Sequence, residues 1–188
     1  MKKIKLFSIF LPVIICSLIL GGCSSSKTSS MTQASSSVSD KMMNKGSISP
    51  SFELKDINGT THKLSDYKGK KVYIKFWASW CSICLAGLDE IDTLAGESND
   101  FQVLTIVSPD FRGEQSKDAF VKWFSSLEKK NLTVLLDTDG AFASKLGVRG
   151  YPTSVFIGSD GVLVKTSPGQ KSNTDIKLAY KAIKCEEI

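Results

Sequence analysis

The chain has 188 residues, with 24 basic and 19 acidic side chains for a formal charge of +5, five cysteines and a single histidine. That length suits one domain of ordinary size. No basic stripe with interleaved aromatics occurs, which argues against a nucleic-acid partner, and His62 alone leaves too few ligands for a zinc site built around the cysteines.

Residues 1–22 open with Lys2, Lys3 and Lys5, continue as an apolar core to Leu20 and end in two glycines. This is the layout of an export signal, and its apolar core is shorter than the ~20 residues that span a bilayer comfortably. Leu20-Gly21-Gly22-Cys23 resembles the bacterial lipobox. We therefore expect cleavage before Cys23, a lipid on that cysteine and loss of Cys16. Without the three leader lysines, the 24 basic residues fall to 21 against 19 acidic ones, close to neutral. Residues 23–46 then form the lipidated cysteine and a Ser-rich stretch too poor in apolar residues to bury a core, expected to act as a flexible tether.

Residues 47–188 remain as one domain. It begins with SFELKD and THKLSD on either side of Asn58-Gly59, a pattern for two short strands joined by a tight turn. KKVYIKFW, β-branched and aromatic, predicts a buried central strand. After Cys81 and Cys84, the residues Leu85, Leu88, Ile91 and Leu94 recur at helical spacing. FQVLTIVS predicts a further strand and SKDAFVKWFSSLEKK a helix with Phe120, Trp123, Phe124 and Leu127 on one side. LTVLLD is a third core strand, GAFASKLG a short helix closed by Gly147, and TSVFIG with GVLVKTS a hairpin around Ser159-Asp160-Gly161. TDIKLAYKAIKC supplies a terminal helix. Strands alternating with helices and ending in a hairpin imply an α/β fold with a mixed central sheet covered by helices on both faces.

Cys81, Cys84 and Cys185 are an odd number of thiols, which argues against a disulfide scaffold. A two-residue spacer also closes too small a loop for Cys81–Cys84 to be mainly a staple. The pair lies where a core strand gives way to a helix. There, unpaired backbone N–H groups stabilise a thiolate, so Cys81 is the expected nucleophile. Cys84, one turn into the helix, is placed to attack a mixed disulfide and release the partner. Ile83 and Leu85 are expected to shield it. Cys185 is expected to be a packed or half-exposed free thiol, and His62 a surface residue of its hairpin.

FWASWCSIC at 76–84 together with GVRGYPTSVFI at 147–157 resembles the thioredoxin superfamily. The stretch SPSFELKDINGTTHKLSDYKGKKVYIKFWASWC looks more narrowly like membrane-tethered thioredoxin-like lipoproteins that support cytochrome c maturation and surface methionine sulfoxide reduction. The resemblance implies a thioredoxin-like fold with an N-terminal β-hairpin extension and an extra helix insertion. It implies Cys81 and Cys84 as the catalytic pair, a cis bond before Pro152, and a substrate-binding rim of Trp80, Tyr151 and Pro152, with no cofactor beyond the dithiol. It further implies a monomeric reductant on the outer face of the cytoplasmic membrane, fed by an integral-membrane thiol carrier and serving an exported client such as a methionine sulfoxide reductase or apocytochrome c. An oxidase that installs disulfides is the alternative with the same chemistry, and a non-catalytic surface lipoprotein the alternative without it.

The chain departs from the resemblance at three places. Ser82 and Ile83 stand between the cysteines, Gly87 stands where such lipoproteins often carry Glu, and Lys75 stands where thioredoxins bury an Asp. Asp89 replaces a helix-kinking Pro, so a straighter helix is expected. Lys75 either projects toward Cys84 as a buried group that tunes its pKa, or lays its stem under the helix and sends its amine to solvent. We expect the second.

Overall fold

The computed structural model describes residues 44–184. The expected leader, Cys23, most of the tether and Cys185 lie outside these residues. Eight strands form one sheet in the order β1-β8-β7-β4-β5-β6-β2-β3. In chain order they are β1 (Ser47–Ile48), β2 (Glu53–Asp56), β3 (Thr61–Lys63), β4 (Lys71–Phe76), β5 (Phe101–Val107), β6 (Val134–Leu136), β7 (Thr153–Ile157) and β8 (Val162–Pro168).

The central strand β4 runs parallel to β5 and antiparallel to β7, so the sheet is mixed. All six β4 residues are buried, as expected of a strand covered on both faces. Val72, Ile74 and Phe76 pack with Leu104, Ile106, Val155 and Ile157 on one face, under α4 (Ala141–Lys145) through Phe142 and Ala143. Tyr73 faces the other way with Val103, Phe156, Ile91 and Leu94. Trp77 continues that second face with Val107, Leu88, Phe120 and Phe124. The second face is covered by α1 (Ser82–Ala86), α2 (Leu88–Gly96), α3 (Lys117–Ser125) and α5 (Asn173–Ala182). The thioredoxin-like α/β class, the β2–β3 hairpin extension and the inserted α3 between β5 and β6 therefore stand as expected from the sequence.

Three local expectations fail. The helix after the cysteines is not straight but breaks at Gly87, which lies between α1 and α2 with φ −99° and ψ 11°. Replacing Pro by Asp89 removed one cause of a break, and the glycine two positions earlier supplies another. His62 lies on its hairpin strand as expected but is half-buried, not a surface residue. Its two ring nitrogens lie 2.9 Å from Tyr67 Oη and 3.1 Å from Asp56 Oδ2, pinning the hairpin to the short turn of helix that follows it. Asn44, at a position assigned to the tether, bonds both Asp160 and the backbone of Lys184.

Candidate active site

The carboxyl end of β4 delivers the chain into Trp77-Ala78-Ser79-Trp80 and then into α1. The Trp77 N–H still donates to Ile106 O at 3.1 Å, so the strand's pairing extends to the edge of the site. Cys81 is the N-cap of α1, with extended φ and ψ of −87° and 97°. Its carbonyl accepts from the N–H groups of Cys84 and Leu85, both at 3.0 Å. The sulfur of Cys81 therefore sits at the helix start, where backbone dipoles favour a thiolate.

Cys81 and Cys84 are joined in a disulfide, with sulfurs 2.10 Å apart and Cα atoms 5.2 Å apart. Cys81 keeps 5% exposure and Cys84 none. Cys81 is thus the less enclosed of the two, which fits it to meet a client first and Cys84 to resolve. Ile83 does not shield the pair, since it is 55% exposed. Leu85 does pack beside Cys84, as expected.

The register of β7 against β4 sets Thr153 opposite Phe76. That pairing brings the residues just before β7 alongside those just after β4. The Tyr151–Pro152 bond is cis. Tyr151 packs against the cluster containing both cysteines, and its ring lies 6.0 Å from that of Trp80. Burial is the main cause that pushes the Tyr151 hydroxyl's pKa up. Trp80 is itself 55% exposed, so the rim of the pair is apolar and open. Trp77, by contrast, is fully buried among Phe120, Trp123 and Phe124.

Sequence reasoning passed over a buried carboxylate behind the rim. Glu114 Oε2 accepts from the Ser79 N–H and Oε1 from the Ser79 hydroxyl, each at 2.6 Å. Gln115 donates to the same hydroxyl at 3.1 Å. Glu114 comes from a loop that reverses through positive φ at Asp110, Arg112 and Gly113. The Gly-Glu pair within it was the available signal, but no periodicity points to its target.

Lys75 is buried, with 2% exposure, and does not send its amine to solvent. Its Nζ donates to Gln170 Oε1 at 3.0 Å. Burial draws its pKa down to about 8, with the charge of Glu90 acting weakly in the opposite sense. No cluster of three or more His, Cys, Asp or Glu side chains suited to a metal occurs among the described residues. The chemistry such an arrangement supports is exchange of one disulfide for another.

The family model described as Redoxin matches residues 44–183. The chain belongs to the redoxin family. It is 31% identical over 142 residues to the thiol-disulfide oxidoreductase ResA of Bacillus subtilis, covering 76% of this chain and 77% of that one. It is 52% identical over 127 residues to an uncharacterized protein of Haemophilus influenzae, covering 67% of this chain and 81% of that one. Among solved structures it resembles the exposed lipoprotein thioredoxin Etrx1 of Streptococcus pneumoniae, with a TM-score of 0.69 and 51% identity, covering 71% of this chain and all of that one. This redoxin is a thiol-disulfide oxidoreductase whose electrons reside in a cysteine pair.

Proposed function

We propose that this redoxin is an extracytoplasmic reductant held at the membrane by a lipid on Cys23, passing electrons from an integral-membrane thiol carrier to exported clients. The observation that carries the exchange chemistry is the placement of Cys81 at a helix start on an open apolar rim, with Cys84 fully enclosed behind it. The reductant direction is supported by the likeness to an exposed lipoprotein thioredoxin, and the exchange chemistry by the likeness to the thiol-disulfide oxidoreductase ResA. The chain carries no dinucleotide fingerprint, so an external dithiol must be recharged through the membrane. A Ser-rich tether suits that task, because it confines the domain near a carrier while letting it swing to a second partner. A surface methionine sulfoxide reductase is the favoured client and apocytochrome c the next.

The test is the redox state of Cys81 and Cys84 in living cells, read by thiol alkylation with and without the membrane carrier. Reduced thiols that become oxidised when the carrier is deleted support the reading. A pair that stays oxidised in both strains overturns it in favour of a disulfide-installing oxidase. Expressing Cys84→Ser at the surface and identifying what is disulfide-linked to Cys81 names the client.

A further inference from the structure

Of the chain's 24 basic residues only two are arginines, Arg112 and Arg149, and both lie on loops that border the cysteine pair. Arg149 is exposed and comes two residues before Tyr151, on the connection from α4 to β7 that carries the cis bond. Arg112 is exposed on the connection from β5 to α3. An arginine differs from a lysine in offering a planar fork of donors that meets a carboxylate at two points, so the choice bears on recognition and not on charge alone.

The loop that carries Arg112 is fixed against the rim. It is closed on itself by the Asp110 N–H donating to Gln115 O and the Glu114 N–H donating to Phe111 O, both at 3.1 Å. On one side the Phe111 ring is seated against the start of α4, where only a glycine leaves room for it: a Cβ on Gly140 would fall 2.4 Å from the ring. On the other side Glu114 holds Ser79, and a Cβ on Gly113 would lie 3.8 Å from Trp80 Nε1. Arg112 itself adopts φ 51°, a left-handed conformation uncommon for a residue other than glycine. Its guanidinium carbon lies 4.9 Å from the centroid of the Phe111 ring, a contact that orients the group without using its N–H donors. The charge is felt across the rim, since burial raises the Tyr151 hydroxyl's pKa and Arg112 acts against that rise.

Neither arginine takes part in an ion pair among the described residues. Glu114 and Asp137, the two buried carboxylates whose charge also reaches Tyr151, have donors of their own. Glu114 is held by Ser79, and Asp137 accepts from the N–H groups of Phe142 and Ala143 at 2.9 and 2.8 Å. Asp110 shares the loop and is exposed, so it weakens the local field while leaving the fork of Arg112 open. An exposed, pre-oriented guanidinium beside an apolar rim is complementary to an acidic group on whatever lies across that rim.

We propose that Arg112, assisted by Arg149, selects protein clients that carry an Asp or Glu beside the disulfide they bring to Cys81. The client chain lies over Trp80 and Tyr151, and the carboxylate flanking its cysteine meets the guanidinium of Arg112. Arg112 is thus a specificity-determining residue of the exchange reaction. The inference names the chemistry of the client and rests on the exchange reading of the cysteine pair.

The test gives the reduced full chain, with Cys16, Cys23 and Cys185 replaced by alanine, a set of peptides that share one internal disulfide and differ only in the residue flanking it: Glu, Gln or Lys. Reduction is followed by mass spectrometry. For the otherwise unaltered chain, kcat/KM for the Glu peptide should exceed that for the Lys peptide roughly tenfold at low salt, mainly through KM, and the ratio should narrow as salt is added. Arg112→Met should cut the ratio to about threefold, and adding Arg149→Met should bring it to about one. Arg112→Lys should restore part of the preference, and Arg112→Glu should turn it toward the Lys peptide. No preference in the unaltered chain, or the same ratio in Arg112→Met, overturns the proposal. An equal proportional fall for all the peptides in Arg112→Met also overturns it, because that result assigns the residue to the reactivity of Cys81. Failure of the unaltered chain to reduce any of the peptides overturns the exchange reading, and the proposal with it.

Discussion

Glu114 grips Ser79 by two groups at once, taking a hydrogen bond from its backbone N–H and another from its hydroxyl, both at 2.6 Å. The carboxylate also accepts from the Gln115 N–H at 2.8 Å. Ser79 is two residues before the nucleophile, so this carboxylate ties the loop after β5 to the loop that presents Cys81.

Glu114→Ala should cost about 2–4 kcal/mol, because hydrogen bonds to a buried ionised acceptor contribute about 1.5–3 kcal/mol each and the Ser79 donors would be left without it. Glu114→Gln, which keeps an oxygen acceptor, should lose about half as much. Urea unfolding measures both. Equal stability in Glu114→Ala would mean that these hydrogen bonds do not hold the loop.

The division between an accessible and an enclosed sulfur makes the two cysteine variants unequal. Cys81→Ser should abolish exchange, whereas Cys84→Ser should still attack and then accumulate mixed disulfides. Mass spectrometry of the trapped species should find the client on Cys81. Finding it on Cys84 would reverse the assignment.

What the sequence made legible and what it hid have distinct physical causes. β4 and β5 are buried on both faces, so their apolar runs were plain without any tertiary information. The cysteine pair and Pro152 were legible because spacing and chemistry are local to short motifs. Glu114 was hidden because its loop is shaped by residues in left-handed conformations that carry no pattern. Lys75 was correctly placed on the helix-covered face by alternation, yet its burial depended on Gln170, 95 residues away, filling a gap above a glycine. The break at Gly87 was hidden for the same reason: a lone glycine carries no pattern of its own, and its role appears only with Gln170 in place.

The hairpin offers a pH-dependent prediction. Burial opposes ionisation of Asp56, but hydrogen bonds from His62 and from the N–H groups of Thr60 and Asn58 together outweigh it, so the folded pKa lies below the ordinary aspartate value. A depressed carboxylate contributes stability that is present above its unfolded pKa and lost as pH falls through the folded one. Asp56→Asn should therefore lower the urea midpoint at pH 7, and the gap from the unaltered chain should close as pH falls below the ordinary aspartate range. A gap that is constant across this range would show that the carboxylate's charge contributes nothing.

Lys75 should behave in the opposite sense. Its folded pKa of about 8 lies below the ordinary lysine value of 10.5. Where both states are protonated, below pH 8, the buried ammonium therefore opposes folding. At ~1.4 kcal/mol per unit the cost is about 3 kcal/mol, and the unaltered chain should gain stability as pH rises from about 8 to 10.5. Lys75→Met should be more stable at pH 7 by about 1–3 kcal/mol, with a difference that shrinks toward pH 10. Denaturant midpoints at pH 7 and pH 10 measure it. A Lys75→Met chain that is less stable at pH 7 would mean that the bond to Gln170 outweighs the burial cost.

The exposed rim predicts how clients are told apart from small disulfides. Trp80 and Ile83 are each 55% exposed on either side of Cys81, and the Trp80 ring meets Tyr151 at 6.0 Å. Neither side chain is needed to hold the domain together, because the core below is made by Trp77, Leu88, Phe120 and Phe124. Their apolar surface is available to a protein client, whose chain must lie across the rim to bring a disulfide to the accessible sulfur. Removing a large aromatic from the centre of such a contact costs about 2 kcal/mol or more, and smaller apolar groups cost less. Trp80→Ala should raise KM for a protein disulfide by roughly 10- to 30-fold and Ile83→Ala by a few-fold. The rate with glutathione disulfide should change less than about twofold, since that molecule is too small to span the rim. Loss of both activities in parallel would place Trp80 in the reactivity of Cys81 and not in docking.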